Sequence, residues 1–441
     1  MRKTRYRNRR RKFLTIFIVI FMAALTVVSG YAALLYSRDN HYNRGSDDKD
    51  MGVDTSYQTN TATTSTSTPA NTSGEPVQES DKLKEQIMSM SLDEKIGQMV
   101  IVGIDGYVAD EHARQMIEEN NVGGFILFKS NIQNSNQMLG LLNSLKSINR
   151  ANKVPLFLSV DEEGGRVSRL PDEFLKIPSN KTIGKLNNSS VSHQVGSIIG
   201  EELKSFGMNM DFAPVLDINS NPKNPVIGDR SFGTAPDLVS KLGIQTMQGL
   251  QSQNIIPVVK HFPGHGDTST DSHVGLPRVN NDLKRLRNFE LRPFADAIEN
   301  GAEAVMVAHI LLPKIDPENP ASFSRTIISD ILRTEMNYDG VVITDDFTMG
   351  AIVKNYNIGQ AAVKSILAGS DIVLVCHDYD KQKAVISALK NAAQSGQLPL
   401  DRIDQSVTRI LRLKQEHEIT DDPANAVDPK SINDKIRALL K

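Results

Sequence analysis

The chain has 441 residues, which is longer than an average domain and sufficient for one large α/β barrel with flanking segments. Hydrophobic residues make up 39%, so a sizeable core is expected, and a single cysteine excludes both an internal disulfide and a thiolate zinc cluster. The formal net charge is −2, but residues 1–12 carry eight basic side chains and no acidic one, which leaves 42 basic against 52 acidic residues in the remainder. That acidic balance excludes nucleic acid as a partner of the folded part.

Three segments of different composition precede the folded part. Residues 1–12 are basic and residues 13–37 contain no charged side chain, a pattern that predicts a cytoplasmic segment followed by a transmembrane signal-anchor. A cleaved signal peptide is the alternative interpretation of the apolar run. Residues 38–80 contain no Leu, Ile or Phe and are rich in Ser and Thr, which predicts a disordered linker. The sequence therefore predicts attachment to a membrane, with the folded part outside the cytoplasm.

The folded part is predicted to span residues 81–418, with a C-terminal tail at residues 419–441. Ser91 and Glu94 have the spacing of a capping box at the start of a helix. After it, apolar runs typical of strands buried on both faces alternate with helical patterns. The predicted strands are residues 99–104, 124–128, 155–160, 208–213, 256–260, 304–308, 340–344 and 372–375. The clearest predicted helices are residues 134–149, 238–253, 282–300 and 361–368.

Eight strands that alternate with helices predict an α/β fold with a single (β/α)8 TIM-type barrel. A doubly wound open sheet is the alternative, but no Gly-x-Gly-x-x-Gly follows a strand, so a dinucleotide site is not indicated. No cofactor is predicted. Polar side chains stand just after five of the predicted strands: Asp161, Asp217, His261, His309 and Asp345. The carboxyl ends of barrel strands form one face, where active sites lie, so we expect these residues to share a site.

Two loops combine acidic and basic side chains. Residues 161–169 place three carboxylates and two arginines around a pair of glycines, which would let the backbone approach a ligand closely. Residues 227–233 contain a second acid–base pair, Asp229 and Arg230. Each loop can be read as an exposed turn held by ion pairs or as part of a binding site.

A long loop with three histidines, His261, His265 and His273, follows the fifth predicted strand. Long irregular loops are usually functional, and three interpretations of this one are open: a metal site, structural packing of the histidines, and catalysis. The spacing matches no common zinc pattern, so no metal is predicted. Asp271 and His273 are separated by one residue and would share a face in extended backbone, where the carboxylate could orient and charge-stabilise the imidazole.

Two adjacent acids, Asp345 and Asp346, end the seventh predicted strand. Burial of two charged carboxylates there costs free energy unless each has a hydrogen-bonding or charged partner, so their presence needs an explanation. A helix N-cap would account for one of the two acids and leaves the other as a candidate for chemistry.

Taken together, these motifs resemble family 3 of the glycoside hydrolases, in its β-N-acetylglucosaminidase branch. The resemblance covers about residues 85–415. The motifs that carry it are residues 91–99, 161–169, 212–217, 227–233, 260–277 and 344–349. It implies a retaining exo-β-N-acetylglucosaminidase that acts on terminal non-reducing β-linked N-acetylglucosamine, with peptidoglycan fragments as the expected substrate.

The resemblance also implies a role for individual residues. Asp345 aligns with the family's nucleophile, His273 with its general acid/base, and Asp271 with the partner of that imidazole. The residues that align with sugar-binding positions are Asp161, Arg169, Arg230, Lys260 and His261. An imidazole here replaces the second carboxylate of the usual retaining scheme. Because its unperturbed pKa is about 6.5, it can donate and accept a proton near neutral pH.

Other functions stay open at this point. Within the family, a β-N-acetylglucosaminide phosphorylase is an alternative, because an imidazole repels phosphate less than a carboxylate would, and a β-glucosidase is another. Outside the enzymes, the alternative is a non-catalytic wall-binding module on an inactive barrel. The expected protein is a monomer at the cell membrane with its catalytic domain outside, or a secreted protein if the N-terminal segment is cleaved.

Overall fold

The computed structural model describes residues 75–273 and 275–439. The predicted cytoplasmic segment, the predicted transmembrane anchor and most of the predicted linker lie outside these described residues. Within the described ranges, none of the helices combines the length and the apolar character needed to cross a bilayer. The first described helix begins at Glu75, upstream of the boundary that the sequence predicts at Asp81.

Eight parallel strands close into a barrel in chain order, with β8 paired to β1. The strands are β1 (Val100–Gly103), β2 (Gly124–Leu127), β3 (Phe157–Val160), β4 (Met210–Asp211), β5 (Ile256–Phe262), β6 (Ala304–Val307), β7 (Val341–Asp346) and β8 (Ile372–Val375). Every residue of these strands except Asp345 is buried, as strands covered on both faces should be. The predicted TIM-type barrel is therefore confirmed, and the open doubly wound sheet is excluded.

Helices link the strands and surround the barrel. They are α1 (Glu75–Ser89), α2 (Leu92–Gln98), α3 (Glu111–Glu118), α4 (Ser135–Asn149), α5 (Asn180–Leu186), α6 (Ser189–Ser205), α7 (Pro236–Gln251), α8 (Leu283–Asn288), α9 (Arg292–Glu299), α10 (Thr326–Glu335, with π-type turns), α11 (Gly350–Val353), α12 (Ile358–Ala368), α13 (Tyr379–Gln394), α14 (Leu400–Glu416) and α15 (Pro429–Leu439). The capping box before α2 is confirmed, because the Ser91 hydroxyl accepts from the Glu94 N–H and the Glu94 carboxylate accepts from the Ser91 N–H.

Two segments differ from the predicted helix pattern. The single helix predicted at residues 282–300 is divided into α8 and α9, because Pro293 has no N–H to continue a helix and instead stands in the first turn of a new one. The predicted C-terminal tail contains α15, which packs against α6 through the buried side chains of Ile432 and Ile436. Its Asn433 side chain donates to the Glu173 carbonyl and accepts from the Leu175 N–H. The C-terminal residues thus support the loop that follows β3.

Candidate active site

A cavity of roughly 510 Å³ opens at the carboxyl end of the barrel. The eight residues to which the family resemblance gives a role all line it: Asp161, Arg169, Arg230, Lys260, His261, Asp271, His273 and Asp345. Asp217 and His309, which also follow predicted strands, are buried and do not line it. They come from the segments at the ends of β3, β4, β5 and β7. The structure therefore brings together residues spread over most of the folded chain, as the position of polar groups after parallel strands predicts.

Lys260 lies at the buried end of β5 and faces two carboxylates. Its Nζ donates to Oδ1 of Asp161 at 2.5 Å and to Oε1 of Glu163 at 2.7 Å. Burial acts to lower the pKa of Lys260, but the charges of Asp161 and Glu163 outweigh it and hold that pKa above its ordinary value. Lys260 is therefore a fixed, charged donor in the cavity wall.

Arg230 makes a two-point contact with the same glutamate. Its Nε donates to Oε2 of Glu163 at 2.8 Å and its Nη2 donates to Oε1 at 2.7 Å. Burial acts to raise the pKa of Glu163, but Arg230 and Lys260 outweigh it and keep the pKa below its ordinary value. Sequence reasoning did not single out Glu163, because it stands beside an identical residue, Glu162, and only the fold shows which of the two meets the cations.

His261 is oriented by Asp217, the polar residue after β4. The Nδ1–H of His261 donates to Oδ2 of Asp217 at 2.6 Å, and the other carboxylate oxygen accepts from the backbone N–H of His265 at 2.6 Å. Burial acts to raise the pKa of Asp217, but His261 and His265 outweigh it, so that pKa lies below its ordinary value. With Nδ1 engaged, Nε2 is the ring atom of His261 that is directed to Arg230, 3.4 Å away.

Asp345 is the penultimate residue of β7 and has a half-buried side chain, and its Oδ1 accepts from the Asp346 N–H at 2.9 Å. Burial acts to raise the pKa of Asp345, but nearby His309 and His261, together with that N–H, hold it below its ordinary value. His309 is fixed behind the site by hydrogen bonds to the Ser322 hydroxyl and the Asp346 carbonyl. The Asp345 carboxylate is thus ionised and lines the cavity, as a nucleophile requires.

The neighbouring acid, Asp346, is satisfied by local hydrogen bonds. Its Oδ1 accepts from the backbone N–H groups of Thr348 and Cys376, and its Oδ2 accepts from the Thr348 hydroxyl. These bonds tie the end of β7 to the end of β8. Both acids line the cavity, but Asp346 is held by these local hydrogen bonds, whereas the carboxylate of Asp345 has fewer partners among the described residues. Cys376 is buried.

Asp271 and His273 form a pair at the mouth of the cavity. Oδ1 of Asp271 accepts from the His273 backbone N–H at 2.8 Å and from its ring Nδ1–H at 3.0 Å. The contact comes from a turn in which an Asp side chain binds the N–H two residues later, and not from the extended backbone that the sequence analysis assumed. The side chain of His273 is 70% exposed, so its ring can reach solvent and an incoming ligand.

Two of the cavity residues carry buried polar atoms without a hydrogen-bond partner among the described residues. They are His265, at Nε2, and Arg169, at Nε. Burial lowers the pKa of His265 to about 4, so its ring is neutral at physiological pH. In the described part of the chain, no three His, Cys, Asp or Glu side chains are arranged to hold a metal ion. Unsatisfied polar atoms in a cavity wall are typical of groups that bind a polar ligand.

The cavity lining also includes apolar side chains: Ile126, Phe128, Met306, Met349 and Leu374. The exposed ring of His377 packs on Phe128 with centroids 4.8 Å apart. A cavity lined by both charged and apolar side chains suits a pyranose ring, which presents hydroxyl groups at its edge and C–H groups on its faces.

Comparison with known proteins identifies the family of this chain. Residues 91–413 match the model of the glycosyl hydrolase family 3 N terminal domain. The chain is 36% identical over 324 residues to β-hexosaminidase A of Pseudoalteromonas piscicida, covering 68% of this chain but only 54% of that relative. It is 34% identical over 326 residues to the β-hexosaminidase of Nitrosomonas eutropha, covering 72% of this chain and 92% of the relative.

Solved structures give the same result. A glycoside hydrolase family 3 β-N-acetylglucosaminidase from Paenibacillus sp. str. FPU-7 is 41% identical and superimposes with a TM-score of 0.76, covering 80% of this chain and 68% of that one. A β-N-acetylhexosaminidase from Beutenbergia cavernae is 29% identical with a TM-score of 0.69, covering 74% of this chain and 99% of that one. The chain therefore belongs to glycosyl hydrolase family 3.

Proposed function

We propose that this protein is a retaining exo-β-N-acetylglucosaminidase, which hydrolyses terminal non-reducing β-linked N-acetylglucosamine. The observation that carries the proposal is the meeting of an ionised carboxylate, Asp345, and an imidazole–carboxylate pair, His273 and Asp271, in one cavity. Relatives named β-hexosaminidase and a similar solved β-N-acetylglucosaminidase support the glycosidase class and the choice of sugar.

The charged side chains of the cavity bind the sugar and the two catalytic groups act on its anomeric carbon. Under this proposal, the donors of Lys260, Arg230 and Arg169 and the acceptor Asp161 hold the sugar hydroxyls and the acetamido group, together with His261. The Asp345 carboxylate attacks the anomeric carbon while the His273 imidazolium protonates the departing glycosidic oxygen. This step forms a glycosyl ester on Asp345 and frees the leaving alcohol.

The second step reverses the roles of the imidazole. Neutral His273 takes a proton from water as the water oxygen attacks the anomeric carbon, and the Asp345 ester bond breaks. Asp271 acts through His273, because its carboxylate accepts the Nδ1–H and stabilises the positive charge that the ring carries between transfers. Two displacements at one carbon retain its configuration.

Peptidoglycan fragments are the natural substrate that fits this proposal best. The predicted anchor at residues 13–37 would place the barrel outside the cytoplasmic membrane, where glycans containing N-acetylglucosamine occur. The protein would act there as a membrane-bound monomer, or as a secreted enzyme if the N-terminal segment is cleaved. The products formed from purified muropeptides test this assignment, since loss of a single terminal N-acetylglucosamine is the expected change.

The test of the activity is release of nitrophenol from nitrophenyl N-acetyl-β-glucosaminide, with and without added phosphate. The expected product is free N-acetylglucosamine at a rate that phosphate does not change. N-acetylglucosamine 1-phosphate as the product would establish a phosphorylase. Faster release from nitrophenyl β-glucoside would establish a β-glucosidase. Absence of turnover, with binding of the sugar retained, would establish a binding module.

Substitution Asp345→Asn tests the nucleophile. An amide cannot form the glycosyl ester, so turnover is expected to fall by several orders of magnitude, roughly 10³-fold or more, while the barrel stays folded. Asp346→Asn is the matched neighbour and should lower the melting temperature, because its carboxylate accepts three hydrogen bonds. A folded Asp345→Asn enzyme that keeps more than about a tenth of the wild-type rate would contradict the assignment.

A further inference from the structure

Glu163 is a nearly buried part of the cavity wall, in contact with the two cations Arg230 and Lys260. Its side chain is 1% exposed and contacts both cavity cations, Arg230 through two hydrogen bonds and Lys260 through one. Arg230 and Lys260 are themselves 14% and 2% exposed, so this is a nearly dry site in which charge-assisted hydrogen bonds hold geometry well.

The contacts of Glu163 determine which donors remain for a ligand. A guanidinium group has five N–H donors and Glu163 takes the Nε–Nη2 edge of Arg230, so the Nη1 end has no partner among the described residues. Lys260 has three N–H donors, of which Asp161 and Glu163 take one each. The carboxylate of Glu163 therefore fixes the orientation of both cations and leaves their remaining donors for the cavity.

Glu163 also separates two like charges. Arg230 and Lys260 contact the same carboxylate oxygen, Oε1, and without the carboxylate their positive charges would lie side by side in a buried wall. The neighbouring Glu162 has no part in this contact. Its Oε2 accepts from the backbone N–H groups of Arg169 and Leu170, and its side chain lines a separate cavity with Glu202.

We propose that Glu163 is a positioning residue for sugar binding: it holds Lys260 and Arg230 so that their free donors meet the hydroxyl or acetamido oxygens of the bound sugar. The inference rests on the proposed glycosidase function and adds a residue to it that does not itself touch the sugar. It predicts that loss of the Glu163 charge weakens the binding of the sugar more than it slows the chemical steps at Asp345 and His273.

The experiment compares Glu163→Gln with Glu162→Gln in the full-length protein. Glu163→Gln should raise KM for nitrophenyl N-acetyl-β-glucosaminide at least about tenfold, with kcat reduced by less than about threefold. The affinity for free N-acetylglucosamine, measured by calorimetry, should fall by a similar factor. Glu162→Gln should leave both quantities within about twofold, because a Gln oxygen can accept the same backbone hydrogen bonds.

The pH profile adds a readout that general loosening of the fold would not move. In Glu163→Gln, Lys260 loses one of its two counter-charges and deprotonates more easily, so the alkaline limb of kcat/KM should shift to lower pH. Glu163→Asp keeps the charge but shortens its reach. The Glu163→Asp variant should leave the alkaline limb in place while it weakens N-acetylglucosamine binding. If Glu163→Gln does not fold, this variant tests the positioning role in its place.

The outcomes separate the two proposals. If the wild type does not cleave the substrate, the proposed function is wrong, and the role of Glu163 in it falls as well. If the wild type is active and a folded Glu163→Gln binds N-acetylglucosamine as Glu162→Gln does, the positioning role alone is overturned. Wild-type affinity in a folded Glu163→Asp would overturn it equally.

Discussion

The histidines in and behind the cavity differ sharply in their surroundings. His265 and His309 are buried, and burial lowers the pKa of both, to about 4 for His265. Both are therefore neutral near pH 7 and suit hydrogen bonding but not proton delivery. His273 is exposed at the cavity mouth with a carboxylate on its Nδ1, which is the environment expected of a group that exchanges protons with an incoming substrate and with water.

The leaving group provides a test of His273 as the acid. A nitrophenolate departs with little help, whereas the alcohol of a second sugar needs a proton, so His273→Ala should lose about 10²–10⁴-fold more rate on a β-linked disaccharide than on a nitrophenyl glycoside. Asp271→Ala should show the same pattern more weakly. His377→Ala is the matched control, because His377 lines the same cavity but packs against Phe128 in a tilted arrangement. Equal losses on both substrates for His273→Ala would assign this histidine to binding.

At the scale of elements, the positions of the strands were predictable from the sequence, but the directions of the side chains that follow each strand were not. Apolar runs, several of them continuous, marked the strands, and polar residues after them marked the site. Glu162 and Glu163 are adjacent and identical, yet one lies beside α6 and the other meets the cavity cations. Sequence alone does not distinguish them, because their roles depend on where the chain leaves β3. The turn that joins Asp271 to His273 was missed for a similar reason, since Asx turns and extended pairs share the same spacing.

The packing of α15 gives a prediction at this scale. Ile436 is fully buried against the rest of the barrel, so Ile436→Ala should reduce the free energy of unfolding by about 2–5 kcal/mol. Arg437→Ala is the control on the exposed face of the same helix, where a surface ion pair with Asp434 is worth about 0–1 kcal/mol. Chemical denaturation measures the free energy of unfolding of both variants. Similar small effects for the two variants would show that α15 does not stabilise the barrel.

At the scale of the whole molecule, three buried acids couple stability to pH. Glu162, Glu202 and Asp211 lie close together, and burial raises the pKa of each, to about 7 for Glu162. A raised pKa means that the folded protein binds more protons than the unfolded chain. For Glu162 this contribution to stability is fully present below pH 4.5, the ordinary value, and is lost as the pH rises through about 7.

The predicted consequence is a melting temperature that falls between pH 5 and pH 8.5, with a smaller fall in Glu162→Gln. The glutamine carries no charge at either pH, so the variant should gain stability relative to wild type on the alkaline side. Differential scanning fluorimetry at the two pH values measures the fall in melting temperature of each protein. The other titrating groups contribute equally to both proteins, so their effect cancels in the difference. Parallel curves for wild type and Glu162→Gln would contradict the raised pKa.

The closure of the barrel has a consequence for how molecules of this protein associate. An open sheet ends in strands whose free N–H and C=O groups can pair with a second molecule and begin aggregation. In the ring described here, each strand pairs on both sides, including β8 with β1. Native molecules therefore offer no strand edge of this ring as a template for fibrils, even where they are crowded on a surface. Heat-induced aggregation is expected to follow unfolding and to share its temperature dependence.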